Sequence, residues 1–101
     1  MRILIMFDLP TETAEDRKCY RDFRKGIMRN GFFMMQESIY CKMVLNESAK
    51  NNTVASIRKL SPSKGIVQIL SVTEKQFQKM EFLVGNSVSG IIDSDERVVI
   101  Y

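Results

Sequence analysis

An uninterrupted apolar run, Ile3 to Phe7, stops at Asp8 and is followed at once by Leu9-Pro10-Thr11. The run does not alternate, so it reads as a strand over residues 2–8 buried on both faces, ended by a proline that cannot extend the ladder. Thr13 then caps a helix, with Asp16 three residues on completing a capping box. Tyr20, Phe23 and Ile27 recur at helical spacing as its inward stripe, and Gly31 stands where a left-handed C-cap is wanted. Six of the thirteen residues from Arg17 to Arg29 are Arg or Lys. A strand that ends in a lone acid, beside a cationic helix, pairs a ligand for a divalent metal with a surface for phosphates. That combination suits nucleic acid.

The rest of the chain completes a recognisable layout. Phe32 to Met35 and Glu37 to Leu45 read as two strands or one bent strand, with Ile39, Cys41, Met43 and Leu45 alternating. Asn46 and Ser48 are candidate caps for a second helix whose apolar stripe is Val54, Ile57 and Leu60. Ser61-Pro62-Ser63-Lys64-Gly65 is a turn, Ile66 to Val72 a strand, and Thr73-x-x-Gln76 a capping box opening a short helix, Glu74 to Met80. Asp93-Ser94-Asp95-Glu96 forms a polar turn before a terminal strand, Arg97 to Tyr101, within a tail of residues 92–101.

The order is β-α-β-β-α-β with a short extra helix and a C-terminal tail strand, an α+β, ferredoxin-like layout in a single domain spanning 1–101. Two helices cover only one face of such a sheet. Strands 2–8 and 66–72 are apolar on both, so the expected solution is a homodimer with facing sheets.

Composition narrows the chemistry. The chain has no histidine, which excludes a Ser-His-Asp triad, imidazole acid–base catalysis and a His-containing zinc site. Hydrolysis must then rely on carboxylates and a hard, oxygen-loving cation. Cys19 and Cys41 are too few for a disulfide framework and read as two buried thiols in a reducing cytoplasm. Met1-Arg2 leads straight into an apolar run shorter than a signal sequence needs, and no segment approaches the roughly 20 apolar residues of a membrane span. A cytoplasmic protein with no membrane partner is expected. Net charge is only +3, so the distribution of the cations matters more than their excess.

Asp8 has two readings, a turn-forming acid after a strand or a metal ligand. A single carboxylate is a poor site, but a two-fold axis nearby would duplicate it, and two carboxylates can share one Mg²⁺ (or another divalent cation such as Mn²⁺) that also meets a phosphate oxygen. On the first helix Arg17, Lys18, Arg21, Arg24, Lys25 and Arg29 fall within an arc of about 140°, opposite the apolar stripe. They form either a phosphate-binding face, for which the planar fork of Arg is suited, or a solvated face with Glu15, Asp16 and Asp22 as partners. Gln36 and Ser38 could reach toward Asp8, or simply mark a polar strand edge. The Asp93, Asp95, Glu96 cluster lacks the spacing of a calcium loop, and the seven Met residues are core filler.

Met6-Phe7-Asp8-Leu9-Pro10, the basic helix, Gly31-Phe32, then Gln36-Glu37-Ser38-Ile39-Tyr40 and the tail Asp95-Glu96-Arg97-Val98-Val99-Ile100-Tyr101 together resemble the small CRISPR-associated protein two family. The similarity spans essentially the whole chain and looks closest to members from systems with a single-protein RNA-guided effector. The resemblance implies a ferredoxin-like homodimer with facing sheets, in which Asp8 of both protomers faces a divalent metal. It implies a part in spacer acquisition, with the dimer as a scaffold between integrase dimers on double-stranded prespacer DNA and repeat DNA. It also implies a latent metal-dependent endonuclease activity on RNA or duplex DNA. Arg97, Val98, Val99, Ile100 and Tyr101 would dock the integrase or the neighbouring sheet. Where the family often has Tyr before the acid, this chain has Phe7, which removes a hydroxyl. The alternatives are an active endoribonuclease, such as a toxin-like RNase of the same fold, and a ferredoxin-like ligand-binding regulatory module. The last would want a Gly-rich loop that is not visible here.

Overall fold

Capping, stripe spacing and turn chemistry translate directly into elements. The computed structural model describes residues 1–85, as β1 (Arg2–Asp8), α1 (Ala14–Arg29), β2 (Phe33–Gln36), β3 (Ile39–Met43), α2 (Glu47–Leu60), β4 (Ile66–Val72) and α3 (Glu74–Gln78). The polar turn at Asp93–Glu96 and the tail strand Arg97–Tyr101 lie outside the described residues. The chain groups into two units, Met1–Ser71 and Val72 onward. The four strands form one sheet in the order β2-β3-β1-β4, the ferredoxin-like arrangement. β1 pairs antiparallel with β3 from Arg2 opposite Met43 to Met6 opposite Ile39, and β2 pairs antiparallel with β3.

Local signals set the helix ends. The Thr13 hydroxyl accepts from the Asp16 N–H (3.0 Å), and the Asp16 carboxylate accepts from the Thr13 N–H (3.3 Å). At the other end Gly31 takes φ +92°, and the Lys42 ammonium donates to the Asn30 carbonyl (2.6 Å), satisfying an acceptor the helix leaves over. Of the two candidate caps for α2, Asn46 serves, its side chain accepting from the Ala49 N–H (2.8 Å). Within the second unit, Thr73 and Gln76 form the expected capping box, and α3 closes at Gln78 rather than Met80.

β1 alternates, contrary to the expectation of a strand buried on both faces. Ile3, Ile5 and Phe7 are buried beneath the helices, while Leu4 and Met6 on the reverse face are only half-buried. β4 departs further: Val67 and Ile69 pack against the core, whereas Ile66 (58% exposed) and Leu70 (49%) face away from it. Both helices sit on one face, and β4 lies at the sheet edge, so an apolar sequence does not gain two covers. The segment after α1 resolves into two strands rather than one. Phe32 lies in the core before β2 begins, a bulge falls between Met34 and Gln36, and β3 stops at Met43, leaving Leu45 outside it.

The core joins Ile3, Ile5, Phe7 and Leu9 to Phe23 and Ile27 of α1 and Ile57 of α2. Gly26 lets the helices approach: a Cβ there would lie 2.7 Å from Leu60 Cδ1. Phe7 is the aromatic hub, edge-on to Tyr20 (5.7 Å) and Phe23 (5.2 Å) and stacked on Tyr40 (5.7 Å).

Candidate active site and nucleic-acid interface

The alternation that sends Phe7 into the core turns Asp8 out to solvent at the end of an interior strand. The strand end is held on both sides. Toward β3, the Phe7 N–H donates to the Ser38 carbonyl (3.1 Å), and Ser38 stands in the β2–β3 turn at φ +64°. Toward β4, Gly65 at φ +86° lies against the Asp8 carbonyl and Leu9. The Ser61–Gly65 turn also runs along the β1–α1 loop, where a cleft is lined by Leu9, Pro10, Asp16, Cys19, Pro62 and Lys64. Ser38 therefore meets β1 through its backbone, at Phe7. Gln36 pairs with Ile39 and stays one strand removed.

With Phe7 packed among three rings, this position cannot present a group to a phosphodiester; its work is to fix β1. Cys41 is buried as expected, but Cys19 is exposed on α1, because the inward stripe passes through Tyr20 and Phe23 and leaves position 19 outside it.

The candidate phosphate-binding residues are all exposed on α1, yet they are not equivalent. The Arg17 guanidinium donates to the Thr11 carbonyl (3.2 Å) and the Glu12 carbonyl (3.1 Å), tying the β1–α1 loop to the helix. Lys18 pairs with Asp22 at 2.9 Å. The hydrogen bond and the opposite charge hold the Asp22 carboxyl below its ordinary range and raise the Lys18 ammonium above its own. Arg21, Arg24, Lys25 and Arg29 have no hydrogen-bond or ion-pair partner among the described residues. The free cations thus lie further along α1 than the loop-proximal Arg17. Sequence reasoning missed the roles of Gly65 and of the Arg17 clamp. A glycine after Pro-Ser-Lys signals a left-handed turn, but nothing in that signal says which chain it will touch.

Among the described residues no three His, Cys, Asp or Glu side chains gather to hold a metal. A hard cation that keeps most of its water needs only one or two carboxylates plus a phosphate oxygen. Asp8, exposed at the end of β1, offers one such carboxylate. No described helix is long and apolar enough to cross a membrane.

The family model for CRISPR associated protein Cas2 matches residues 1–80. Proteins named CRISPR-associated endoribonuclease Cas2 are similar along nearly the full length. The one from Streptococcus mutans is 48% identical over 99 residues, covering 98% of this chain and 91% of that one. The one from Treponema denticola is 45% identical over 100 residues, covering 99% of each. The crystal structure of Streptococcus pyogenes Cas2 at pH 6.5 superposes with a TM-score of 0.62 over 83% of this chain and 100% of that one, at 17% identity, a likeness of fold. By the match over residues 1–80 and by identity of this extent along the chain, the protein belongs to the CRISPR-associated Cas2 family.

Proposed function

We propose that the chain acts in CRISPR adaptation as a homodimeric scaffold that holds double-stranded prespacer DNA and bridges integrase dimers on the repeat DNA. The observation that carries this reading is the outer face of α1, where Arg21, Arg24, Lys25 and Arg29 stand exposed without protein partners among the described residues. Cations left unpaired in this density suit a phosphate backbone, which binds by charge and counterion release rather than by base sequence. The dimer is supported by the sheet face away from the helices, where Met43 (54% exposed), Ile66 and Leu70 form apolar surface that a second copy would cover. Asp8 and its counterpart in that copy would hold Mg²⁺ or Mn²⁺, which when bound stabilises charge at a phosphodiester. Each chain's own part is to present one carboxylate from the end of β1. Such a site is a latent metal-dependent endonuclease, dispensable for integration.

The test is Asp8→Asn, which keeps the shape of the side chain and removes its charge. Cleavage that requires Mg²⁺ should be lost while spacer integration by the same preparation persists. Collapse of integration with dimer and DNA binding intact would refute the scaffold reading. A second reading, an active endoribonuclease, is favoured by the name the relatives carry. Mg²⁺-dependent RNA cleavage by the wild-type protein, lost in Asp8→Asn, would support it.

A further inference from the structure

We propose that Gly65 and Ser38 are positioning residues for Asp8, clamping the backbone on its two sides so that its carboxylate is held in place for a divalent cation. The assignment rests on the reading of Asp8 as a metal ligand. Asp8 is the last residue of β1 and its side chain is exposed, so no side-chain packing orients it. Its placement has to come from the backbone, and both neighbouring connections supply it.

On the β3 side, the Phe7 N–H reaches the Ser38 carbonyl at 3.1 Å. Ser38 presents that carbonyl from φ +64°, the only non-glycine residue at positive φ among those described. L residues seldom adopt this conformation, and where they do it commonly serves a local geometric need. On the β4 side, Gly65 at φ +86° approaches so closely that a Cβ would lie 2.6 Å from the Asp8 carbonyl oxygen, 2.8 Å from Leu9 Cδ2 and 3.1 Å from Leu9 Cα. Two of those three atoms are backbone, so relief requires a shift of the Asp8–Leu9 main chain or of the turn that carries Gly65. Ordinary van der Waals contact begins at 3.4 Å, so a methyl group at position 65 must open this contact by about 0.8 Å. Ligand distances in a formed metal site fall within about 0.2 Å of their standard values. A shift of that size, where the strand end takes it up, carries the Asp8 carboxylate away from its place.

Gly31 is an internal control of unusual closeness. It has nearly the same dihedral, φ +92°, but a Cβ there would meet only the flexible Lys42 side chain, at 3.3 Å and beyond. Alanine at either position incurs the left-handed penalty; alanine at 65 alone also presses on Asp8.

The experiment is a titration of the full-length protein with Mn²⁺, free ion being followed by electron paramagnetic resonance, alongside thermal unfolding. The variants are Gly65→Ala, Gly31→Ala, Ser38→Gly, Ser38→Val and Asp8→Asn. Gly65→Ala should weaken Mn²⁺ binding by roughly tenfold or more, as loss of a ligand's support typically does, whereas Gly31→Ala should stay within about twofold for a comparable loss of melting temperature. Ser38→Gly keeps the turn and should bind as wild type; Ser38→Val, β-branched and averse to positive φ, should weaken binding. If Gly65→Ala does not fold, the two Ser38 variants decide. Mn²⁺ binding unchanged in Gly65→Ala, or weakened equally in Gly31→Ala, overturns the positioning role while leaving Asp8 as a ligand if Asp8→Asn has lost the ion. Equal binding by wild type and Asp8→Asn overturns the metal reading itself, and this inference with it.

Discussion

Replacing both Arg21 and Arg24 by alanine is the sharpest probe of the α1 surface. Both are exposed and have no partner among the described residues, while the buried side of the helix is carried by Phe23 and Ile27. The double variant should fold normally, since surface changes of this kind typically cost under about 0.5 kcal/mol. In a dimer it removes four cations. If each meets a phosphate of duplex DNA, the slope of log K against log salt should shrink by roughly 3 to 4 units, about 0.9 per lost contact. Fluorescence anisotropy of a labelled duplex across a series of KCl concentrations measures that slope. Arg17→Ala should behave differently, because its guanidinium is engaged with the Thr11 and Glu12 carbonyls. Its slope should change little, with the effect showing instead as a looser β1–α1 loop. An unaltered slope in the double variant would mean that this face is merely solvated. A large drop from Arg17→Ala alone would mean that the loop clamp opens to bind DNA.

Two further outcomes follow from the packing and the charges. Phe7→Ala removes the hub of three ring contacts from a nearly closed site and should cost about 3–5 kcal/mol in denaturant unfolding; a loss under about 1 kcal/mol would show that the core closes over the gap. Asp22→Asn frees Lys18 from its carboxylate and should tighten duplex binding at low salt. Because Asp22 is held below its ordinary value in the folded chain, the pair's contribution to stability is present above about pH 4 and fades as acid protonates the carboxylate. The pH dependence of unfolding below pH 4 should therefore be shallower in Asp22→Asn than in the wild type, and an identical profile would show that the pair does not form in solution.

What can be read from the sequence of this protein is what short range decides. Thr13 and Asp16, Thr73 and Gln76, the Phe23–Ile27 stripe and the left-handed Gly31 all involve residues a turn or less apart, so their geometry follows from spacing and chirality. The order of those elements was enough for a ferredoxin-like sheet, and the lone acid at the end of the first strand was visible because a proline follows it. Coverage was not legible. The unbroken apolar run of β1 and the apolar residues of β4 suggested burial on both faces, but a strand's hydrophobicity does not say which face the helices occupy. The six cations of α1 likewise look alike in sequence; what separates Arg17 from Arg21 is the path of the Thr11-Glu12 loop, which brings two carbonyls within its reach. The hold on Asp8 was least accessible of all. Ser38 and Gly65 stand 30 and 57 residues away along the chain and become its neighbours only because β3 and β4 flank β1, a consequence of strand order rather than of any local preference.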